Sequence, residues 1–264
     1  MLIDLSGNIA LVTGSTEGIG YAILEGYAES GADVIVNGRK EDKVNEAVAA
    51  LSSKYPKVSV KGVAADLGNV DGVNKLIAAV PHVDILVNAV GVVSTNPVLE
   101  EDDETFFRLF EINLMSSVRM CRAYVPKMIE NNKGRVLFCG STTAMIGSMG
   151  GPYPMTKSGQ MHFARSVADL TRGSEVTVNT LMIGPTHSAS FKIMLESMAQ
   201  DMGVTVEEAE KQFMAKHWPQ SLLGRIVRSE EVANLAVYLS SPLASATNGA
   251  IMSADGGARN TVFS

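Results

Sequence analysis

The 264-residue sequence predicts an α/β fold: a doubly wound, mostly parallel seven-stranded sheet with helices on both faces, forming one domain over residues 1–264. Three observations predict it. Short β-branched runs alternate with longer helical patterns nearly to the end of the chain. Most of the runs are apolar throughout instead of alternating, as strands covered on both faces are. The segments between them have the length of right-handed crossovers. No repeat, low-complexity tract or long polar linker divides the chain.

The strands are expected at 9–12, 33–37, 58–63, 84–88, 135–139, 177–182 and 250–253, and the main helices at 18–30, 43–54, 70–79, 104–131, 155–171 and 230–239. The segment 187–223 breaks this alternation. It is too long for a simple connection and is expected to hold two helices, 191–202 and 206–217, with Thr205 and Glu208 as a capping box for the second. Ligands of open α/β sheets bind beyond the carboxyl ends of the strands, so this insertion reads as a substrate lid or as a subunit-packing surface. Its stripe of Phe191, Met194, Leu195, Met198 and Met202 suits an adaptable apolar pocket or plain packing. His187 and Trp218 are candidate substrate contacts.

Charge and composition exclude several classes. With 22 Lys+Arg against 28 Asp+Glu, the formal charge is −6, and no basic block offers a nucleic-acid face. No apolar run reaches the roughly 18 residues of a membrane span, and the N-terminus lacks a cationic leader region. His82, His162, His187 and His217 lie apart from any metal-ligand spacing, so no metal is expected. Cys121 and Cys139 sit in apolar stretches without a CxxC pattern and read as buried, reduced thiols. A soluble cytoplasmic enzyme is the expectation.

Directly after the first strand runs Thr13-Gly14-Ser15-Thr16-Glu17-Gly18-Ile19-Gly20, and a helical pattern follows at once. Gly14 permits a tight turn, Gly18 a close approach of backbone to pyrophosphate, and Gly20 a close helix–strand contact. The N–H groups at the helix start then face phosphate charge. An ordinary glycine-rich βα turn is the plainer alternative. No Lys-Ser/Thr follows the last glycine, which rejects a triphosphate-binding P-loop.

The second strand ends Val36-Asn37-Gly38-Arg39-Lys40. An NAD(H) site would place a carboxylate here, for the ribose hydroxyls. Gly38 removes the acid, and Arg39 offers a planar fork for a 2′-phosphate, so the expected cofactor is NADP(H), with NAD(H) left open. Glu17 stands against this assignment, because it would approach the same phosphate.

Tyr153-Pro154-Met155-Thr156-Lys157 opens a helix. Residues four apart share a helix face, so phenol and ammonium can converge. A free phenol titrates near 10, and a neighbouring cation is expected to draw that value down toward neutrality. Ser141 follows the fifth strand, twelve residues earlier, and can reach the same strand end.

Thr13-Gly-x-x-x-Gly-Ile-Gly20, Asn88, Asn113, Ser141 and Tyr153-x-x-x-Lys157, in this order, resemble the short-chain dehydrogenase/reductase family. The resemblance extends to Asp255-Gly256-Gly257, and 3-oxoacyl reductases of the family are similar to this chain. It implies a Rossmann-type seven-stranded sheet and roles for matching residues. Tyr153 would be the general acid or base, Lys157 would lower its pKa and bind the nicotinamide ribose, and Ser141 would polarise the substrate oxygen. Asn113 would hold a water linking Lys157 to solvent. Cofactor contacts would come from Gly14, Ser15, Thr16, Gly18, Ile19, Gly20, Arg39, Asp66, Asn88, Gly91, Ile183, Thr186 and Ser188, besides Tyr153 and Lys157. A homodimer or homotetramer is implied as well.

The chain departs from the family's pattern at Asn88-Ala89-Val90-Gly91 and at Ile183-Gly184-Pro185, and prolines flank Tyr153. A distorted loop before Tyr153 would make Thr142 or Thr143 the donor in place of Ser141. The expected activity is interconversion of a ketone and a secondary alcohol, with a 3-oxoacyl thioester as one example. The alternatives are a non-catalytic dinucleotide sensor, or an isomerase or epimerase that uses bound cofactor.

Overall fold

In the computed structural model, which describes residues 3–94, 96–146, 151–187 and 189–260, the apolar runs become seven parallel strands. They are β1 (Ile9–Val12), β2 (Asp33–Gly38), β3 (Val60–Ala64), β4 (Ile85–Asn88), β5 (Arg135–Cys139), β6 (Thr177–Ile183) and β7 (Ile251–Ala254), in spatial order 3-2-1-4-5-6-7. The order reverses between β1 and β4, and at such a switch point the strand ends splay to leave a crevice. The expected strands agree within one or two residues; the third starts later because Val58 closes a turn onto the Tyr55 carbonyl.

Continuous apolar strands imply two covered faces, and the core divides that way. Ala10, Val12, Val34, Val36, Leu137 and Cys139 point into one layer, beneath α1 (Gly18–Glu29), α2 (Glu41–Lys54) and α10 (Ser229–Ser240). Their neighbours Leu11, Ile35, Val136 and Phe138 point into the other, beneath α3 (Val70–Ala79), α5 (Ser116–Glu130) and α7 (Tyr153–Leu170). The side-chain period of two sends successive apolar residues to opposite layers. Cys121 and Cys139 are free and buried, and burial pushes their thiols up to about 12 and about 11, so both are poor nucleophiles.

The single helix expected at 104–131 is divided. Asp102 caps α4 (Asp103–Leu109), a π-helical turn covers Phe110–Met115, and α5 continues. Such turns concentrate at functional sites, because the extra residue re-aims its neighbours. Here the re-aimed residue is Asn113. A short helix, α6 (Thr143–Ile146), precedes α7, which starts two residues earlier than expected, at Tyr153, with Pro154 in its first turn.

The segment after β6 folds as α8 (Ala189–Met202) and α9 (Val206–His217). Thr205 Oγ1 accepts the Glu208 N–H and caps α9. The two helices pack chiefly on each other, around Leu195, Met214 and Ile226. No helix among the described residues is long and apolar enough to cross a membrane.

Candidate active site

The glycine loop takes the conformation its residues permit. Gly14 and Gly18 have φ of +65° and +61°, which only glycine adopts freely. A Cβ on Gly20 would lie 2.3 Å from the Gly14 carbonyl oxygen, so no other residue lets α1 come this close to β1. Glu17 precedes α1 without capping it, so the helix's first N–H groups have no side-chain acceptor there.

Two buried residues fasten this loop to the sheet: Thr13, which opens the sequence motif, and Asn37, which lies outside it. Asn37 Oδ1 accepts the Gly14 N–H, while Nδ2 donates to the carbonyls of Val63 and Ala65. Thr13 Oγ1 accepts the N–H groups of Ala89 and Val90 and donates to the Val87 carbonyl. Ser15 turns inward: its N–H donates to the Asn37 carbonyl, and its hydroxyl accepts the Asn37 N–H.

At the carboxyl ends of the strands lie two hollows that meet at Ala89 and Gly91. The first, about 190 Å³, is lined by Gly14, Thr16, Glu17, Gly38, Arg39 and Asp66. Arg39 is exposed, and no ion pair engages it among the described residues. Glu17 is exposed on the same rim. A Cβ on Gly38 would lie 2.5 Å from Thr16 Cγ2, so the end of β2 has no room for a carboxylate side chain unless Thr16 moves. A larger hollow, about 520 Å³, opens beside Ile9, Asp33 and His82, at the other end of the strands from the glycine loop, and holds none of the chemistry-bearing groups.

The second hollow, about 250 Å³, is lined by Ile19, Gly91, Ser141, Tyr153, Lys157, Ile183 and Thr186. Tyr153 and Lys157 share a helix face, with Lys157 Nζ 5.9 Å from the centre of the phenol ring. Nζ donates to the Cys139 carbonyl at 2.7 Å and to Gln160 Oε1 at 3.1 Å, leaving one of its three protons. A Cβ on Gly91 would lie 3.4 Å from Nζ; glycine there leaves the ammonium open to the hollow. Ser141 and Thr143 exchange a hydroxyl contact of 2.9 Å, so Thr143 steadies Ser141. Asn113 is wholly buried: Nδ2 donates to the Val92 carbonyl and Thr156 Oγ1, and Oδ1 accepts the Val92 N–H.

Electrostatics in this hollow differ from the expectation of a phenol drawn down by its neighbour. Burial raises Tyr153 above the ordinary phenol value, while the Ser141 hydroxyl pulls the other way. Burial also lowers Lys157, to about 8. Desolvation is the largest influence on both groups.

The remaining residues fall into two groups. Asn88 is buried below the hollows, where Nδ2 donates to the Leu137 carbonyl at 3.5 Å. Asp66 is exposed on the rim and accepts the Gly68 N–H. Trp218 packs in the α8–α9 cluster, and His187 pairs with Glu210 at 3.4 Å; both are drawn into the insertion's own structure. Ser188 and residues 147–150 of the loop before Tyr153 lie outside the described residues.

Comparison with known proteins agrees with this geometry. The family model described as short chain dehydrogenase matches residues 8–198. The uncharacterized oxidoreductase YvaG of Bacillus subtilis (strain 168) is 44% identical over the whole of both chains. The 3-oxoacyl-[acyl-carrier-protein] reductase FabG of Aquifex aeolicus (strain VF5) is 31% identical, covering 97% of this chain and 99% of its own. The crystal structure of L-sorbose reductase from Gluconobacter frateurii, complexed with NADPH and L-sorbose, superposes with a TM-score of 0.92 at 30% identity, over 99% of this chain and 100% of that one. The chain belongs to the short chain dehydrogenase family and is an NAD(P)-dependent oxidoreductase.

Proposed function

We propose that this oxidoreductase uses NADP(H), reduces a ketone to a secondary alcohol, and employs Tyr153, Lys157, Ser141 and Asn113 to do so. One observation carries the reading: the phenol, the hydroxyl and the ammonium line a single hollow continuous with the glycine-loop crevice. A dinucleotide suits that outline. Gly14, Gly18 and Gly20 together with the start of α1 would hold its pyrophosphate, Asp66 and Arg39 its adenosine end, and Ile183, Thr186 and Lys157 its nicotinamide end.

The residues divide the work by their chemistry. Tyr153 gives its proton to the carbonyl oxygen, and Ser141 donates a hydrogen bond to the same oxygen. Lys157 then stabilises the phenolate, and Asn113 holds the Val92 backbone in place. Bound nicotinamide supplies the hydride that this proton transfer balances. With its phenol above the ordinary value, Tyr153 is protonated at neutral pH and holds the proton that carbonyl reduction consumes. Alcohol oxidation, which needs the phenolate, gains as pH rises.

The preference for NADP(H) rests on Arg39 and on the missing room for an acid at Gly38; Glu17 opposes it. Paired titrations with NADPH and NADH test it. Arg39→Ala is expected to weaken NADPH about 10- to 100-fold, the strength of a charge-assisted hydrogen bond, and to leave NADH within about twofold. Equal loss for both cofactors overturns the assignment. The winning cofactor is then oxidised against L-sorbose, acetoacetyl thioesters and cyclic ketones, which span the chemistry named for its relatives. Tight binding without turnover of any ketone would point to a dinucleotide sensor instead. We also take α8 and α9 as a lid over the second hollow, in an intracellular homodimer or homotetramer; sedimentation of a stable monomer at micromolar concentration would reject the assembly.

A further inference from the structure

Gln160 stands one helical turn beyond Lys157, has no exposed surface, and carries four hydrogen-bonding options into the buried interface of α7 with the π-helical turn and α5. A buried carboxamide is costly unless its groups are paired. Three of the four are used here: Oε1 accepts from Lys157 Nζ at 3.1 Å, and Nε2 donates to the Asn113 carbonyl at 3.3 Å and to Ser117 Oγ at 2.9 Å. Its orientation is fixed by its partners, since an ammonium can only donate and a carbonyl can only accept. Ser117 Oγ also donates to the Asn113 carbonyl, at 3.4 Å, so that carbonyl has both lone pairs engaged.

The family resemblance implies a water, held by Asn113, that links Lys157 to solvent. We propose that in this protein Gln160 is a positioning residue that takes the place of that water, its carboxamide spanning Lys157 Nζ and the Asn113 carbonyl. Two consequences follow from the chemistry of the bridge. A fixed dipole holds the ammonium where an exchangeable molecule would hold it loosely. A carboxamide also does not relay protons as water does, so the proton that restores Tyr153 enters from the open hollow and not along α7. Among the described residues, the titratable groups that face Lys157 are Tyr153 on its own helix and Cys139 on β5; Gln160 links it to the neutral Asn113 of the π-helical turn and Ser117 of α5.

The inference rests on the ketone-reduction reading, and the test separates the two failures. Absence of turnover with every ketone of the panel removes that reading and the inference with it. Given turnover, the rate is measured in H2O–D2O mixtures, under conditions where 4-deuterated NADPH slows the reaction. The wild-type protein is expected to show a linear dependence on deuterium fraction, one proton moving. Gln160→Ala makes room for a water and is expected to show a bowed dependence, with NADPH affinity by fluorescence titration held within about threefold. A bowed wild-type curve, or a linear one in Q160A, overturns the proposal; a merely structural glutamine would lower stability and leave both curves alike. Should Q160A no longer bind NADPH, Gln160→Glu is read instead: a carboxylate against Lys157 should move the alkaline limb of the rate profile upward by about one pH unit, and an unmoved limb overturns the proposal. If neither variant binds NADPH, the wild-type curve decides alone.

Discussion

Asn37 and Leu195 mark two regions of this molecule that are held together in different ways. Around Asn37, the glycine loop, β2 and the end of β3 are joined by buried side-chain-to-backbone hydrogen bonds, each with a specified direction. Around Leu195, α8 and α9 are joined by a small apolar cluster with Met214 and Ile226, and by an edge-to-face pair of Phe191 and Phe213. Apolar contacts can re-form in several arrangements, whereas hydrogen bonds to a fixed backbone cannot. Ile193, Met194 and Met202 of α8 remain exposed, so this pair of helices has apolar surface still to be covered. The contrast assigns rigidity to the glycine-loop crevice and tolerance to the α8–α9 insertion.

The largest effect expected falls in the rigid region. Tyr153→Phe removes one oxygen and is expected to lower turnover about 10²- to 10⁴-fold, the range of a lost general acid, while NADPH affinity changes by less than about threefold. Steady-state rates with a ketone and a fluorescence titration of NADPH check both halves. Turnover within about threefold of wild type would remove Tyr153 from the chemistry, and a lost affinity would mean that the hollow itself depends on the phenol.

Next in size is a pH effect. The folded state holds Lys157 near 8, below its unfolded value of 10.5, so the folded protein binds this proton less readily. A folded value that is depressed contributes stability present above the unfolded value and lost as pH falls through the folded one. Relative to Lys157→Met, which cannot titrate here, the wild-type protein should therefore lose stability as pH falls from about 10.5 to about 8, by up to about 3 kcal/mol, and level off below that. Denaturant unfolding of both proteins at pH 7, 8, 9 and 10 checks the sign. A difference that does not change across this range would mean that the ammonium is not desolvated.

The two regions were also unequally legible in the sequence. Strand positions, the two-layer core and the glycine turn followed from apolar runs and from positions where only glycine fits, because these are local or periodic properties, whereas the spatial order of the strands came from the structure. Tyr153, Lys157 and Ser141 were legible from spacing, and they do share one hollow. Asn113 was legible only through the family resemblance: a π-helical turn has no signature in hydrophobic period, and the sequence reads as one helix across it. Asn37 and Gln160 were invisible as site residues, and Thr13 was legible only as the first letter of the glycine motif, since what matters is where their amides and hydroxyl meet groups far away in the chain. The expected downward shift of Tyr153 failed for a related reason: spacing shows which groups approach, and burial decides which charge state wins.

The smallest effects test the contrast itself. Asn37→Ala leaves the Gly14 N–H and the carbonyls of Val63 and Ala65 without their side-chain partner, in a place where water does not reach easily. Unpaired buried groups of this kind cost about 1–3 kcal/mol, and that loss should appear in global unfolding and again as weaker NADPH binding, because the loop is loosened before the cofactor arrives. Leu195→Ala also creates a cavity, but in helices that pack chiefly on each other. Its expected reading is local: faster amide hydrogen exchange across α8 and α9, a raised KM for the ketone, and a global unfolding midpoint within about 0.5 kcal/mol of wild type. If Leu195→Ala lowers the global midpoint as much as Asn37→Ala does, the two helices unfold with the sheet, and the difference between a rigid crevice and a tolerant insertion is lost.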